Sequence, residues 1–413
     1  MAGVACLSAV SACSSSAKRR EARTISVPSD ASSISAAVAA ARPGDIILIA
    51  PGTYHESVRV AVPGITIRGT DRNTVVLDGR DTLANGIAVS VDGVAVENLT
   101  VRSYTQNGVV FNGIDAASGG KGADPDTAYG TGDAVLTGYR VSYVTSYNNG
   151  LYGIYAFASR DGLIEETYVS GHPDSGVYIG QCRPCNVVIR RVTAEYNAIG
   201  YYGTNSSGGV YVIDSVFRRN RLGIAPNSQK AENLAPQAET VVAGNLVVDN
   251  SEPTAPRIPQ GFFGVGIAVG GGTRNTVLRN RISGNTGAGV YVLSLNDYLP
   301  LGNRVEGNVL DSNGTDLVYA PVGASGGGDN CFSSNTFATS LPQDLERLMP
   351  CGSASTIGTV PAFTTPTPPP DGDYRTLPTP PPQPNQPAPV AGTPAGAGPV
   401  PLVDLGTIKV PAP

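Results

Sequence analysis

The sequence predicts an all-β solenoid whose first coil is plugged by a short helix, and three observations predict it. A glycine returns just ahead of a short apolar alternation: Gly86-Ile-Ala-Val, Gly108-Val-Val-Phe, Gly153-Ile-Tyr-Ala, Gly176-Val-Tyr-Ile, Gly200-Tyr-Tyr-Gly, Gly223-Ile-Ala-Pro, Gly266-Ile-Ala-Val and Gly289-Val-Tyr-Val, with Asp316-Leu-Val-Tyr as a degenerate last copy. The steps between starts are 22, 45, 23, 24, 23, 43, 23 and 27 residues, a period that signifies stacked supersecondary units. A second apolar strand follows about ten residues after many of these glycines, as in Val94-Ala-Val-Glu-Asn-Leu-Thr-Val, Leu163-Ile-Glu-Glu-Thr-Tyr-Val, Val187-Val-Ile-Arg-Arg-Val-Thr and Thr276-Val-Leu-Arg-Asn-Arg-Ile. Hairpin dipeptides at two-residue spacing are missing, which disfavours an antiparallel sandwich. The Leu-x-x-Leu-x-Leu pattern of leucine-rich repeats is missing too.

Composition narrows the class. Of 413 residues, 41% are hydrophobic and 15% charged, with 51 Gly, two Met and no Trp. That is enough to bury a large core, and a solenoid core grows along one axis rather than splitting into domains. A net charge of -5 argues against nucleic acid as a partner. No apolar run reaches the about 18 residues that would span a bilayer, so membrane contact is expected only through a lipid at the N-terminus.

Along the chain, residues 1–23 read as an export segment. Its Val10-Ser11-Ala12-Cys13, followed by serines, is similar to the lipobox of bacterial lipoproteins, which makes Cys13 the candidate lipidation site, although the usual basic leading region is missing. Residues 24–362 form the solenoid. It opens with Thr24-Ile-Ser-Val, then an Ala-rich helical run from Ile34 to Ala41 with Asp30 or Ser32 as its cap. Pro43-Gly-Asp-Ile-Ile-Leu-Ile-Ala-Pro-Gly-Thr-Tyr-His-Glu56 follows as a first coil. An open solenoid end exposes apolar side chains and unpaired strand edges, and a helix covers both. Asn149, Asn197, Asn220 and Asn285 recur three or four residues before repeat glycines, where stacked amides suit a left-handed turn. His172 sits at the same offset and reads equally as a variant of that turn. Cys331 and Cys351 fit a disulfide closing the array, and Cys182-Arg-Pro-Cys185 fits a small loop-closing disulfide better than a metal or redox site. Residues 363–413 hold about half of the 33 prolines and few large apolar groups, so they are expected to be a disordered tail.

Together the Pro-Gly-Asp and Pro-Gly-Thr-Tyr-His-Glu segments, the Gly-[Ile/Val]-x-[Val/Ile] repeats and the Asn-rich turns resemble the pectate-lyase-like superfamily over roughly residues 25–340. The resemblance implies a right-handed parallel β-helix. Asp174-Ser-Gly-Val-Tyr-Ile-Gly-Gln181 also resembles bacterial β-helix proteins related to the copper-site maturation factor of nitrous oxide reductase. The Asn-Thr-Asp, Asp-Asp and Gly-His-Gly of polygalacturonases do not occur. The Asp-Pro-His-Asp of mannuronan epimerases is represented only by a scrambled His172-Pro173-Asp174, so no family's catalytic residues carry over.

In Gly-Ile-x-Val the Ile and Val point inward and the residue between them outward. The outward column runs Ala88, Val110, Tyr155, Tyr178, Tyr202, Ala225, Ala268, Tyr291, Val318. Three consecutive coils therefore stack tyrosines, which suits either a sugar-binding floor or a ligand-free aromatic stack. The long steps hold insertions from about Asn112 to Asp133 and from Asn227 to about Glu239, with another near Ser251 to Phe262, and the first two should wall that floor. Gln181 and Asn205 are candidate substrate contacts with Tyr155, Tyr178 and Tyr202. For a uronate lyase or epimerase, Arg160 or Arg183 would neutralise the carboxylate and Tyr178 or His172, oriented by Asp174, would take the C5 proton. For a hydrolase, Asp161 and Asp174 are the nearest carboxylate pair. The function read from these residues is an exported, monomeric β-helix that binds or processes a polysaccharide. The alternatives are a non-catalytic surface scaffold or adhesin, and an accessory factor for a periplasmic metalloenzyme. No cofactor is expected; Ca2+ is compatible with the chain but not indicated by it.

Overall fold

The computed structural model describes residues 22–113, 135–258, 262–322, 328–388 and 395–413, and over them the chain winds as a parallel β-solenoid. One coil shows the order: Tyr152–Phe157 lies in sheet 1, Ser159–Glu165 in sheet 2, Tyr168–Ser170 in sheet 3, and Ser175–Cys182 returns to sheet 1. Every strand of that coil pairs parallel with its counterpart one coil on. Residues 1–21, with Cys13, and residues 114–134, with most of the first expected wall, lie outside the described residues.

The core is a set of columns along the solenoid axis. In sheet 1, Ile154, Val177, Tyr201, Ile224, Ile267 and Val290 pair directly with one another, and all are 0% exposed. The recurring glycine is required by the spacing of coils. A Cβ on Gly200 would lie 2.6 Å from the carbonyl oxygen of Gly223 and 3.1 Å from Nδ2 of Asn220, and Gly223 is confined in the same way by Gly266 and Asn250. Those asparagines form a buried ladder in which Asn197, Asn220, Asn250 and Asn285 each donate a backbone N–H and a side-chain N–H to Oδ1 of the next member. The ladder satisfies turn amides that the sheets leave unpaired.

Both ends are closed. At the N-terminal end the helix Ile34–Ala40 buries Ile34, Ala37 and Val38. Its cap is Ser33, whose hydroxyl accepts from Ala36 N, rather than Asp30 or Ser32; Asp30 instead accepts from Ser26 N within the preceding turn. Glu56, the last residue of the Pro-Gly-Thr-Tyr-His-Glu segment, accepts from the backbone N–H groups of Ile34 and Ser35 at 2.9 Å each. That segment thus fastens the plug to the first coil through the exposed donors of a helix N-terminus. At the far end Leu345 and Met349 are buried beside the Cys331–Cys351 disulfide. A second disulfide, Cys182–Cys185, closes the corner between sheets 1 and 2.

The Pro-rich segment is a correction to the sequence reading. Its described residues are not a disordered tail: they run back along the solenoid as a strap. Phe363 meets Tyr291, Pro369 and Pro370 meet Arg221, Leu377 meets Asn148, and Pro384 and Asn385 meet Arg72 near the first coils. After Ala397, which bonds to Gly93, the chain returns along sheet 2 until Pro411 meets Arg281. Two features hold it. Sheet 2 carries outward apolar residues Leu163, Val188 and Ile213, and Ile408 with Val400, Val403 and Leu405 covers them. Extended Pro-rich backbone has no internal hydrogen bonds, so its carbonyls are free to accept. Arg72, Arg221, Arg279 and Arg281 donate to them.

Candidate functional site

On the outer face of sheet 1, Tyr155 pairs with Tyr178 and Tyr178 with Tyr202, as the column requires. The Tyr155 and Tyr178 rings stack with centroids 5.0 Å apart, and Tyr202 meets Tyr178 edge-on at 5.9 Å. Tyr152, three residues before Tyr155 on the same strand, joins both Tyr155 and Tyr178 at 4.8 and 5.0 Å. The column is not open to solvent along its length, however. Tyr178 is 2% exposed while Tyr152, Tyr155 and Tyr202 are half-buried.

The cover is the insertion after Asn227, and residues singled out as substrate contacts hold it. Asn205 Nδ2 donates to the carbonyls of Gln229, Glu232 and Asn233, and its Oδ1 accepts from Gln229 N. Arg183 donates to the carbonyls of Leu234 and Pro236. Gln181 Nε2 donates to Glu232 at 3.1 Å. Asn205 and Arg183 are therefore positioning residues for the insertion, which spends the cation assigned to neutralising a uronate. What they deliver is Glu232, accepting from the Tyr178 hydroxyl at 2.6 Å.

Asp174 reaches the same cluster from the other side by accepting from the Tyr152 hydroxyl at 3.1 Å. Burial pushes its carboxyl up to about 6, with Glu232 adding like charge and hydrogen bonds from Tyr152 and Ser175 opposing. Burial likewise raises Glu232, against hydrogen bonds from Tyr178 and Gln181. Burial and the negative charge of Glu232 push Tyr178 well above the ordinary phenol range, so Tyr178 here is a proton donor rather than the base considered for it.

His172 is also corrected. It is fully buried inside the asparagine ladder, with Nδ1 donating to Asn197 Oδ1 at 2.7 Å and Nε2 accepting from Asn149 Nδ2 at 3.3 Å. Burial lowers it to about 4, so it stays neutral, and it faces the core and not the tyrosines. Arg160 and Asp161 lie past the corner in sheet 2. Arg160 donates to Thr137 and pairs with Asp161, whose carboxylate accepts from Asn186. Asp161 is therefore not beside Asp174; the carboxylate whose charge Asp174 feels is Glu232.

Glu232 was missed in the sequence. Its only signal was a lone acidic residue near the middle of an insertion expected to wall the tyrosines. Next to Tyr202 the ladder stops: Ala225 and Ala268 replace two rings before Tyr291 resumes the column. The gap is a cavity of about 220 Å³, roofed by Ile258 and Phe262 and edged by Gln229, Leu295 and Asn296.

A family model described as a right handed beta helix region matches residues 129–310. Among solved structures, the A-module of the Azotobacter vinelandii mannuronan C-5 epimerase AlgE4 is similar at 14% identity and TM-score 0.45, over 72% of this chain and 87% of that one. Pectate lyase Pel9A is similar at 16% identity and TM-score 0.47, over 74% and 72%. The alginate lyase of Paenibacillus sp. str. FPU-7 is similar at 16% and 0.38, over 76% and 99%. Likenesses at this level carry no activity or substrate across. No curated protein matches the chain. The three-sheet parallel winding, the continuous inward columns and the matched region identify the chain as a right-handed parallel β-helix.

Proposed function

We propose that the outer face of sheet 1 binds a polysaccharide at the half-buried Tyr155 and Tyr202, which flank the covered Tyr178, and in the cavity beside Tyr202. The observation that carries this reading is the join between half-buried tyrosines, two carboxyls and a cavity on one face. Aromatic faces pack on the apolar faces of sugar rings, and phenols and carboxyls bond their hydroxyls. A scaffold or adhesin without a ligand would need no polar cluster beside its aromatic stack. A metalloenzyme accessory factor would need soft ligands, and the described residues bring no group of three or more His, Cys, Asp or Glu together.

Glycoside hydrolysis is the second reading, and Asp174 favours it. A carboxyl raised to about 6 beside a second carboxylate is the pairing of acid and base that hydrolysis uses. The lyase or epimerase scheme loses Arg183, a cation considered for the uronate carboxylate, to the carbonyls of Leu234 and Pro236. Two disulfides agree with an exported protein, and Cys13 is the proposed lipid anchor. The test is binding of the full chain to a panel of alginate, pectin, glycosaminoglycan and neutral glycans, with reducing-end release and absorbance of unsaturated ends followed together. Binding lost in Tyr155→Ala supports the reading, and reducing ends lost in Asp174→Asn support hydrolysis. Absence of binding to every glycan overturns both.

A further inference from the structure

We propose that the cavity beside Tyr202 is a subsite for an uncharged sugar residue bearing an apolar substituent of N-acetyl or methyl size, an inference that rests on the polysaccharide reading above. The cavity exists because the outward column changes from ring to methyl for two coils. Tyr202 pairs with Ala225, and Ala268 pairs with Tyr291, so the space of two rings is bounded by a tyrosine at each end of the column. A cavity of about 220 Å³ accepts one sugar ring rather than a length of chain.

Its chemistry selects the ring. The polar side chains that line it, besides the Tyr202 phenol, are the carboxamides of Asn227, Gln229 and Asn296, and no charged side chain is among the described lining residues. Asn227 is committed to Gly203, Thr204 and Ala225, which leaves Gln229 and Asn296 at the rim. Gln229 Nε2 donates to the Tyr202 hydroxyl, and Asn296 Oδ1 accepts from Lys230 N, so a carbonyl oxygen of the first and an amide of the second face a ligand's donors and acceptors. A carboxylate placed here would be desolvated beside no charged lining side chain, and Glu232, bonded to Tyr178, adds like charge. A neutral ring meets no such penalty. Its apolar substituent lies on the Ala225 and Ala268 methyls under Phe262, while its hydroxyls or amide meet the two carboxamides.

The experiment is calorimetric titration of the full chain with length-matched oligomers of N-acetylhexosamine, neutral hexose and hexuronate. N-acetylhexosamine oligomers are expected to bind at least ten-fold more tightly than hexuronates. Ala268→Tyr, which continues the ladder's own side chain into the gap, should weaken N-acetylhexosamine binding at least ten-fold with an unchanged melting temperature, and Asn296→Ala should weaken it without filling the cavity. Equal or tighter hexuronate binding overturns the inference, as does N-acetylhexosamine binding unchanged in both variants. If glycan binding is lost in Tyr155→Ala but untouched by both cavity variants, the polysaccharide reading stands and the subsite falls. If no oligomer binds at all, the polysaccharide reading falls and takes the subsite with it.

Discussion

Tyr178 donates its hydroxyl to Glu232 at 2.6 Å across a sequence separation of 54 residues, and this bond ties an insertion to the outer face of the sheet it covers. Removing either partner should loosen the insertion and leave the solenoid intact. Tyr178→Phe and Glu232→Gln are each expected to cost about 1–3 kcal/mol. The double variant should cost less than the sum, because the two residues share one interaction. Chemical denaturation of the four proteins measures that coupling, and strict additivity would separate the two residues.

Asp174 and His172 should give stability opposite slopes with pH. Asp174 is raised in the folded state to about 6 from 3.8, so the native protein holds a proton that the unfolded chain has released. Its ionisation penalty is absent below about pH 4 and complete above about 6. In wild type the penalty is of order 2–3 kcal/mol by the free energy of such a shift. Asp174→Asn should therefore gain stability on wild type between pH 4 and 8, as read by urea midpoints at each end.

His172 acts the other way. Its folded value is lowered to about 4 from 6.5, so its contribution is complete above pH 6.5 and is lost as pH falls toward 4. His172→Asn supplies the side chain that the ladder carries on neighbouring coils. It should fold, stay within about 1 kcal/mol of wild type at pH 7 and resist acid better. His172→Ala should cost about 2–4 kcal/mol at pH 7 by opening a cavity in the core and removing one bond each from Asn149, which keeps Ser146, and Asn197, which keeps the backbone N–H of residue 172. A stable His172→Ala would remove the ladder from the account of this coil.

Gly200→Ala tests the close approach of successive coils. Its Cβ would meet the Gly223 carbonyl at 2.6 Å, and neither backbone can retreat without disturbing the inward Tyr201. A loss of about 2–4 kcal/mol is expected by thermal or chemical denaturation. Gly358, whose Cβ would meet nothing within 4 Å, is the control and should tolerate the same change.

The fold was legible because a repeat announces itself many times over. Gly200 and Gly223 carry the same constraint on successive coils, so the pattern survives loss of any one copy. The tyrosine column was legible for the same reason. The site was not, because its decisive contacts occur once. Glu232 reaches Tyr178 from an irregular insertion, and nothing in its local pattern distinguishes it from Glu239, which pairs with Arg274 at the surface. His172 carried two readings, a catalytic base near an aspartate and a variant of the asparagine turn four residues before a glycine, and its bonds to Asn197 and Asn149 match the second. The strap was misread because composition counts large apolar residues without asking whether the solenoid already presents a matching stripe. Leu163, Val188 and Ile213 are that stripe, and it needs only a few partners such as Val403 and Ile408.

A solenoid ordinarily behaves as a one-dimensional array, each coil leaning only on its neighbours, so its ends fray and its middle outlasts them. The strap changes the dimensionality. By joining Arg72 near the first coils to Pro384, 312 residues later in sequence, and then Arg281 to Pro411, it gives distant coils a common tether. Loss of an end coil then releases the strap from every other coil it crosses, so local opening is converted into a collective event. Protein ending at residue 362 should melt at lower temperature and over a broader range than the full chain, with hydrogen exchange advancing from the ends, whereas the full chain should exchange as a single cooperative unit.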